Sequence, residues 1–521
     1  MTERRHHTAT ASALSAVLCT ALSIALAVPL QAGTVVDLAL ADVPSIHGAA
    51  AEEQFGYCFT TGDLDGDGRA ELVVGVPGLA DSSGSQHAGA VFIFRAADLD
   101  TVSGSVPATE LAEWVIPGSV DRGRFGSAVA AGDFDGDGIG DLAVGAPAAG
   151  EGAVITRGEV YIYFGGAADR WAASTGPEVV LAGEIPGARL GTSMLASDIS
   201  GDAGAELLLS APGDGTASKL KSGAVYVLTG EALRQAHGQV LASEIAAAVI
   251  TGENADDALA GLAVADTDGD GAPELVLGAC LADGPGDELP DAGRIYVVPV
   301  PVELAGLSGP VQGSALRTVT GSVERGFLGR SMSAGDLDYD ETDDLLVSAY
   351  GSRAGADMLQ ATGEAFILFG VPTPGTGTQD RALEDPEVPR FRGESRSDMF
   401  GLPVYLADLN GDGSADMVAA ARHADGPDGK RRTCGEVYVY WGSLRSVMAA
   451  KGGRARLADI TIIGGAEEDG IGTALLAAQL SSDGPPSLLV GAPNAPSTAD
   501  EGTPVPRSGK LILLPGELLT R

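Results

Sequence analysis

Cysteine is scarce in this chain and follows no disulfide pattern. The 521 residues include four cysteines, of which Cys19 lies in an apolar N-terminal stretch. The other three, Cys58, Cys280 and Cys434, are odd in number and far apart in the sequence. This spacing excludes a disulfide-stapled scaffold. We expect Cys58 to be a small buried hydrophobic residue rather than a reactive thiol.

Basic residues are also few. Lys and Arg number 32 against 71 Asp and Glu, so the formal net charge is −39. A protein this acidic is repelled by nucleic acid phosphates and by anionic membrane surfaces. We therefore expect no nucleic acid partner, and we expect bound cations to neutralise part of the charge.

Recognisable catalytic motifs are absent. Four histidines lie beyond residue 32, and none of them belongs to an HExxH motif: His47, His87, His237 and His423. No GxSxG motif occurs either. Carboxylates are abundant, but their repeated spacing explains them as metal ligands and does not single out the acid and nucleophile of a glycosidase.

Long apolar runs are confined to the N-terminus. Arg4 and Arg5 precede an apolar stretch over residues 13–28, followed by small residues. This order is typical of a secretory signal peptide. We expect residues 1–32 to be a leader, with cleavage after Ala27 as a competing possibility, and the mature protein to be secreted, cell-surface or periplasmic. After residue 32 no run approaches the roughly 20 apolar residues that span a bilayer.

An acidic loop recurs along the chain at intervals of 65 to 72 residues. Its first position falls at Asp63, Asp133, Asp198, Asp266, Asp336 and Asp408, and in altered form at Gln479. A unit of this length suits one four-stranded sheet, which needs neighbours to bury both of its faces. Seven such units predict an array of seven small sheets.

Each unit repeats a set of strand signals around its loop. Phe125-Gly126 precedes the acidic loop of the second unit, and Leu142-Ala143-Val144 follows it as a short apolar run of the length of a strand. The last unit lacks its fourth run, while residues 35–38 and residues 45–48 are unused apolar runs at the other end. Either run can complete the last sheet and remove exposed edges. The sequence therefore predicts an all-β, seven-bladed propeller over residues 33–521, with four-stranded antiparallel blades and closure by an N-terminal strand.

These units resemble a known repeat family. The Phe-Gly start, the acidic loop and exits such as Gly145-Ala146-Pro147 and Gly491-Ala492-Pro493 are similar to FG-GAP repeats, the units of the integrin α-subunit propeller. The likeness covers about residues 34–521. It implies calcium in the acidic loops and a role in extracellular recognition such as cell adhesion. We find no counterpart of the integrin leg domains, transmembrane helix or cytoplasmic tail, so the resemblance supports the fold and the metal before it supports adhesion.

The acidic loop places oxygen ligands at alternate positions. Side chains at positions 1, 3, 5 and 9 and the main-chain carbonyl at position 7 can converge on Ca²⁺, which prefers about six to eight oxygens. Gly68, at position 6 of the first loop, permits the left-handed backbone of a tight turn. The predicted ligands, loop by loop, are Asp63, Asp65, Asp67, Arg69 and Glu71; Asp133, Asp135, Asp137, Ile139 and Asp141; Asp198, Ser200, Asp202, Gly204 and Glu206; Asp266, Asp268, Asp270, Ala272 and Glu274; Asp336, Asp338, Asp340, Thr342 and Asp344; and Asp408, Asn410, Asp412, Ser414 and Asp416.

Three loops depart from the pattern. Glu341 replaces the turn glycine in the fifth loop, and Ala203 replaces it in the third, which also has Ser200 at position 3. The seventh loop has Gln479 and Ser487 where the others have carboxylates. We therefore expect four complete calcium sites, a fifth with a difficult turn, a weak third-loop site and an empty seventh loop.

Two other interpretations of the loops fit the sequence less well. An EF-hand needs an acidic residue at position 12, where Val74 and Val144 stand instead, so it is excluded. A solvated hairpin turn would explain one Asp-Gly-Asp-Gly segment. It does not explain six copies that keep the same alternation.

Function should lie in segments that do not repeat. The candidates are the connections at residues 281–292, 422–433 (with Lys430-Arg431-Arg432) and 494–508, and the excursion at residues 371–390. We predict a monomeric extracellular binding or adhesion module with an unidentified protein or glycan ligand. The alternative is an extracellular polysaccharide hydrolase or lyase with an axial pocket. Glycan arrays and pull-downs would discriminate between ligands.

Overall fold

The computed structural model describes residues 33–519, apart from residues 81–83, 85, 151–155, 172–175, 217, 285, 287, 354–360, 371–378, 384–387, 428, 443–452, 481–483 and 499–502. The predicted signal peptide at residues 1–32 lies outside these described residues.

Seven small sheets form a closed ring. The innermost strands of consecutive blades contact one another all the way round, including the contact between Cys58–Gly62 and Leu475–Ala478. Each sheet has four antiparallel strands in chain order, except that the seventh takes its fourth strand from the N-terminus. The predicted seven-bladed propeller is confirmed.

The strand bounds follow the repeat. The innermost strands are Cys58–Gly62, Ala128–Gly132, Met194–Ser197, Leu259–Ala265, Met332–Gly335, Val404–Ala407 and Leu475–Ala478. The second strands are Glu71–Val76, Asp141–Ala146, Glu206–Ala211, Glu274–Ala279, Asp344–Ala349, Asp416–Ala421 and Ser487–Ala492. The third strands are Ala90–Phe94, Glu159–Tyr163, Ala224–Leu228, Arg294–Pro299, Glu364–Leu368, Glu436–Tyr440 and Lys510–Leu514. The fourth strands are Trp114–Pro117, Val179–Ala182, Ala248–Thr251, Arg317–Thr320, Arg390–Arg392, Ile460–Ile463 and Ser45–His47.

The two N-terminal runs pair with different blades. Ser45–His47 pairs antiparallel with Lys510–Leu514 and completes the seventh blade, so the predicted N-terminal closure is present and uses the second of the two candidate runs. Thr34–Asp37 instead pairs in parallel with Ile460–Ile463 of the sixth blade. The N-terminus therefore stabilises two neighbouring blades.

The prediction of four-stranded, wholly antiparallel blades was wrong for six sheets. Each of these six has a fifth, parallel outer strand, contributed by the segment that precedes the fourth strand of the next blade. These strands, from the second blade to the seventh, are Gly238–Leu241, Gly309–Pro310, Gln379–Ala382, Gly453–Arg454, Thr34–Asp37 and Ser105–Pro107. They cover an edge that would otherwise expose unpaired backbone groups. These strands are two to four residues long, which is too short for the alternation of apolar and polar residues that identifies a strand in a sequence. One of them lies in the 371–390 excursion.

The hydrophobic core is divided into seven clusters, each between two neighbouring blades. The repeated tyrosines of the third strands take part in them. Tyr226, Tyr296 and Tyr438 are buried, and their hydroxyl groups donate to Asp214, Glu253 and Glu436 respectively. These tyrosines therefore pack between neighbouring blades.

The Phe-Gly start joins each blade to the preceding one. Phe125 forms an isolated parallel bridge with Gly89, which immediately precedes the third strand of the first blade. A Cβ atom at Gly89 would lie 2.0 Å from the carbonyl oxygen of Phe125, and its φ is +85°. Only glycine permits this approach, which explains why both elements recur together.

Helices are short connections. The α-helices are Ala96–Leu99, Ala108–Leu111, Gly230–Gln235, Ala242–Ile245 and Gly516–Leu519, and the 3₁₀ helices are Ala168–Trp171, Leu304–Leu307, Val311–Gly313 and Ala455–Leu457. A short hairpin pairs Ser497–Thr498 with Pro504–Val505. Among the described residues, no helix has the length and apolarity needed to cross a membrane. Cys58, Cys280 and Cys434 are free, as the sequence predicts.

Candidate metal centres

Each acidic loop connects the innermost strand of its blade to the second strand, so the loops share one face of the ring. Position 2 anchors the loop, because its side chain is buried, as with Leu64 and Phe134. The backbone N–H of the same residue donates to the carboxylate at position 9. The nitrogen-to-oxygen distance is 2.9 Å from Leu64 to Glu71 and 2.6 Å from Phe134 to Asp141. Equivalent bonds occur in the third to sixth loops.

The carboxylate at position 1 closes the turn. In the first loop, Asp63 accepts the N–H groups of Gly66 and Gly68, each at 2.9 Å. The corresponding residue does the same in the next five loops. The sequence of each loop therefore orients its first ligand locally, by Asx-type hydrogen bonds.

Side chains at positions 1, 3 and 9 converge in four loops, where carboxylate oxygens lie within 4.8 Å of one another. The four sets are Asp63, Asp65 and Glu71; Asp133, Asp135 and Asp141; Asp266, Asp268 and Glu274; and Asp336, Asp338 and Asp344. The structure thus brings together three of the four predicted side-chain ligands in these loops. The fifth loop forms its set although Glu341 adopts a φ of +67° at the turn.

Position 5 is placed differently from positions 1, 3 and 9. Its carboxylate accepts the N–H of position 7, at 2.8 Å in both the Asp67–Arg69 and Asp137–Ile139 pairs. The same bond occurs in the other four loops, from Gly204, Ala272, Thr342 and Ser414. The carboxylate at position 5 is not part of the converging sets formed by positions 1, 3 and 9. Its hydrogen bond instead fixes the backbone at position 7, whose carbonyl is a predicted calcium ligand.

The third and sixth loops carry a neutral residue at position 3. Ser200 donates its hydroxyl to Glu206 at 3.1 Å. The amide of Asn410 lies 3.5 Å from Asp416, and its oxygen accepts the N–H of Asp412 at 2.8 Å. Both loops keep carboxylates at positions 1 and 9 with fewer negative charges than the other four.

Burial raises the pKa of the position-9 carboxyl groups. Loss of hydration is the main cause, and neighbouring loop carboxylates add to it. The pKa is raised to about 7 for Glu71, Asp141, Glu274 and Asp416, and to about 6 for Asp344. That of Glu206 is raised as well. A cation that replaced the lost hydration would favour the ionised forms.

The chemistry of these sets suits a hard divalent cation. Two ionised carboxylates near the distance seen here repel each other by roughly 3 kcal/mol at an effective dielectric constant of about 20. An ion bound between them would turn this repulsion into attraction. The acidic sets are therefore compatible with divalent cation binding.

Neighbouring loops are also linked through the backbone. The N–H at position 8 donates to the position-1 carbonyl of the preceding loop, as from Gly140 to Asp63 at 2.7 Å and from Ala205 to Asp133 at 2.9 Å. Pro273 occupies this position in the fourth loop and has no N–H to give. Pro486 occupies the same position in the seventh loop, so these bonds join the first loop to the third and the fourth to the sixth, but not the third to the fourth or the sixth to the seventh.

The seventh loop closes without this ligand set. Gln479 donates its side-chain amide to the carbonyl oxygen of Gly484 at 3.1 Å. Ser481 and Asp483 lie outside the described residues.

On the opposite face, the basic triplet is partly engaged. Arg431 donates to both carboxylate oxygens of Asp37, at 2.7 and 2.6 Å, and to the carbonyl of Gly464 at 2.6 Å. It therefore ties its loop to the N-terminal strand. A pocket that the sequence does not predict lies at the start of the same connection, and its lining includes Arg422 and His423. The sequence signal for this pocket is that Arg422 stands where four other units have proline.

Comparison with known proteins gives consistent matches. Residues 55–94 and 125–163 match the family described as FG-GAP repeat. Phosphatidylinositol-glycan-specific phospholipase D of Homo sapiens is 29% identical over 406 residues, which are 75% of this chain and 46% of that protein. Integrin alpha-PS2 of Drosophila melanogaster is 38% identical over 135 residues, 24% of this chain and 9% of that protein. The chain spans about half the length, 46%, of the first of these relatives.

Among solved structures, the crystal structure of BBS1N in complex with ARL6DN aligns with a TM-score of 0.41 at 11% identity, over 91% of this chain and 98% of that one. The propeller assignment rests on the strand pairing described above.

Proposed function

We propose that this chain, whose seven units close into a ring and include two segments that match the FG-GAP repeat, is a calcium-stabilised binding module that works outside the cell. The convergence of carboxylates at positions 1, 3 and 9 is the observation that supports the metal. Calcium fits better than magnesium, because it accepts many carboxylate and carbonyl oxygens in irregular geometry. We propose four to six ions per molecule.

Extracellular placement is supported by two observations. The first 32 residues have the order of a secretory leader. Integrin alpha subunits are among the similar proteins. The ligand in this proposal is a protein or a glycan, recognised by a monomer through the non-repeating face, and cell adhesion is one such role.

Binding is favoured over polysaccharide hydrolysis. A glycosidase needs two carboxyl groups beside the scissile bond. The described lining of the pocket on the non-repeating face includes one, Glu468. Turnover of a polysaccharide by the wild-type protein would contradict the binding role.

Thermal unfolding in millimolar calcium and in excess chelator tests the brace. With dissociation constants of about 10⁻⁴ to 10⁻³ M, each ion adds about 0.4 to 1.4 kcal/mol. Several ions together should raise the melting temperature by several degrees. An identical melting curve in both buffers would refute calcium bracing.

A further inference from the structure

A pocket of about 390 Å³ opens on the face opposite the acidic loops, between the sixth, seventh and first blades. Its lining includes Arg422, His423, Arg507, Tyr57 and Asn494. Arg422 directly follows the second strand of its blade, whereas the acidic loop precedes that strand, so the two lie at opposite ends of the sheet. The volume lies within the range of small-molecule sites, about 300 to 1,000 Å³.

Arg422 is a partly buried cation to which no described residue gives a hydrogen bond or an ion pair. Its Nε is inaccessible and has no hydrogen-bond partner. Burial lowers the pKa of its guanidinium group. Five other described arginines also have an unpartnered buried nitrogen, but each has a partner elsewhere on its guanidinium: Arg95, Arg157, Arg170, Arg294 and Arg317. A partly buried cation without such a partner is costly to maintain, because burial removes part of its hydration.

The fold does not require an arginine at this position. The residue after the second strand is Pro77, Pro147, Pro212 and Pro493 in four other blades. These blades form the same sheet without a charged side chain there. Arg422 is therefore a departure from the repeat that stability does not explain.

The surroundings of Arg422 are cationic and aromatic. Arg507 lines the same pocket, and Glu468 is the one carboxylate among its lining residues. Tyr57 also lines the pocket, and the guanidinium of Arg124, which is outside the lining, lies 5.8 Å from the centre of the Tyr57 ring. Guanidinium groups bind oxyanions through paired N–H donors, and an aromatic ring gives a sugar or other flat ligand a face to rest on.

We propose that this pocket binds the oxyanion group, a carboxylate or sulfate, of a small acidic ligand such as an acidic sugar, with Arg422 as its principal donor. This deepens the proposed binding function and rests on it, since it names a ligand class for the non-repeating face. The site is separate from the acidic loops, and its ligand is of opposite charge.

Calorimetric titration of the full chain with glucuronate, sulfate and neutral glucose, each in millimolar calcium at constant ionic strength, tests the proposal. Wild-type protein should bind glucuronate or sulfate saturably and glucose much more weakly. Binding of sulfate alone would assign the site to free inorganic anions, whereas binding of glucuronate would assign it to acidic sugars. Arg422→Gln should weaken the binding by about tenfold or more.

Two further variants make the test specific. Arg507→Gln removes a half-exposed lining arginine and should weaken binding by about two- to fivefold, and it serves if Arg422→Gln does not fold. Arg189→Gln changes an exposed arginine of another blade and should leave binding unchanged. Absence of saturable anion binding, equal binding of glucose, or undiminished binding in folded Arg422→Gln would overturn the proposal. Calcium uptake in the same samples separates this failure from failure of the calcium-braced module.

Discussion

The acidic loop of the second blade and the corresponding loop of the seventh make the same strand connection, but they differ in their side chains. Both connect an innermost strand to a second strand in the same register, with Gly132 opposite Asp141 and Ala478 opposite Ser487. Both bury the side chain at position 2. Only the second loop gathers three carboxylates.

The difference shows that the blade does not need carboxylates in order to fold. In the seventh loop, Gln479 reaches a backbone carbonyl of its own loop. In the second, Asp141 is buried and accepts N–H groups from Phe134 and Gly165 while repelling Asp135. A costly arrangement that the fold can do without points to a ligand.

Acidification should produce the largest effect, because it acts on several loops at once. The folded, calcium-free protein has position-9 pKa values raised to about 7, above those of the unfolded chain. Because their pKa is raised on folding, the position-9 carboxyl groups stabilise the calcium-free folded state relative to the unfolded chain when they are protonated, at low pH. This stabilisation is lost as the pH rises through about 7. Calcium must displace these protons, so its affinity should fall by roughly tenfold or more from about pH 8 to about pH 5.5.

Calcium titrations at several pH values check this expectation. Glu71→Gln keeps the acceptor for Leu64 and removes the charge, so the first loop should lose both its calcium and its pH dependence. A calcium affinity that does not change with pH would contradict the assignment of position 9 as a ligand.

Substitutions at single loops should separate the second from the seventh. Asp135→Ala should remove about one equivalent of bound calcium and about 0.4 to 1.4 kcal/mol of stability in millimolar calcium. Asp483→Ala, in the seventh loop, is the matched control and should change neither quantity. Equal calcium losses from the two variants, measured by calorimetry, would mean that the assignment of ligands by spacing is wrong.

The turn residue at position 6 offers a reciprocal exchange. Gly138 has a φ of +88° in the second loop, and Ala203 has a φ of +73° in the third. Gly138→Ala should destabilise the protein by roughly 1 kcal/mol, and Ala203→Gly should stabilise it by a similar amount and tighten the weak third site. Chemical denaturation measures both changes. If both have the same sign, backbone strain is not what weakens the third loop.

The smallest effect is expected on the opposite face, within the basic triplet. Arg431→Ala removes the contacts with Asp37 and Gly464 and should cost about 0.5 to 1 kcal/mol, because the pair is partly exposed. Arg432→Ala changes an exposed neighbour, keeps those contacts and should unfold at the wild-type temperature. Calcium uptake should be unchanged in both, since the triplet lies away from the acidic loops.

The sequence alone determined the number of blades, the closure of the ring and the position of the acidic loops. These features depend on local patterns that recur every 65 to 72 residues, so seven copies reinforce one interpretation. The glycine and aspartate signals of each loop act within nine residues, and the structure places Asp63, Asp65 and Glu71 together as that spacing implies.

Tertiary structure decided what depends on contacts between distant segments. Of the two N-terminal runs, Ser45–His47 closes the ring by pairing in the seventh blade, whereas Thr34–Asp37 pairs with the sixth blade. The tertiary structure also supplied the exchanged fifth strands, which are too short to carry a periodic signal. The pocket at Arg422 exists only because ring closure brings Tyr57 and Arg507 beside it. The burial of Arg422 and its lack of a hydrogen-bond partner depend on how distant segments pack together. A local sequence pattern does not specify that packing.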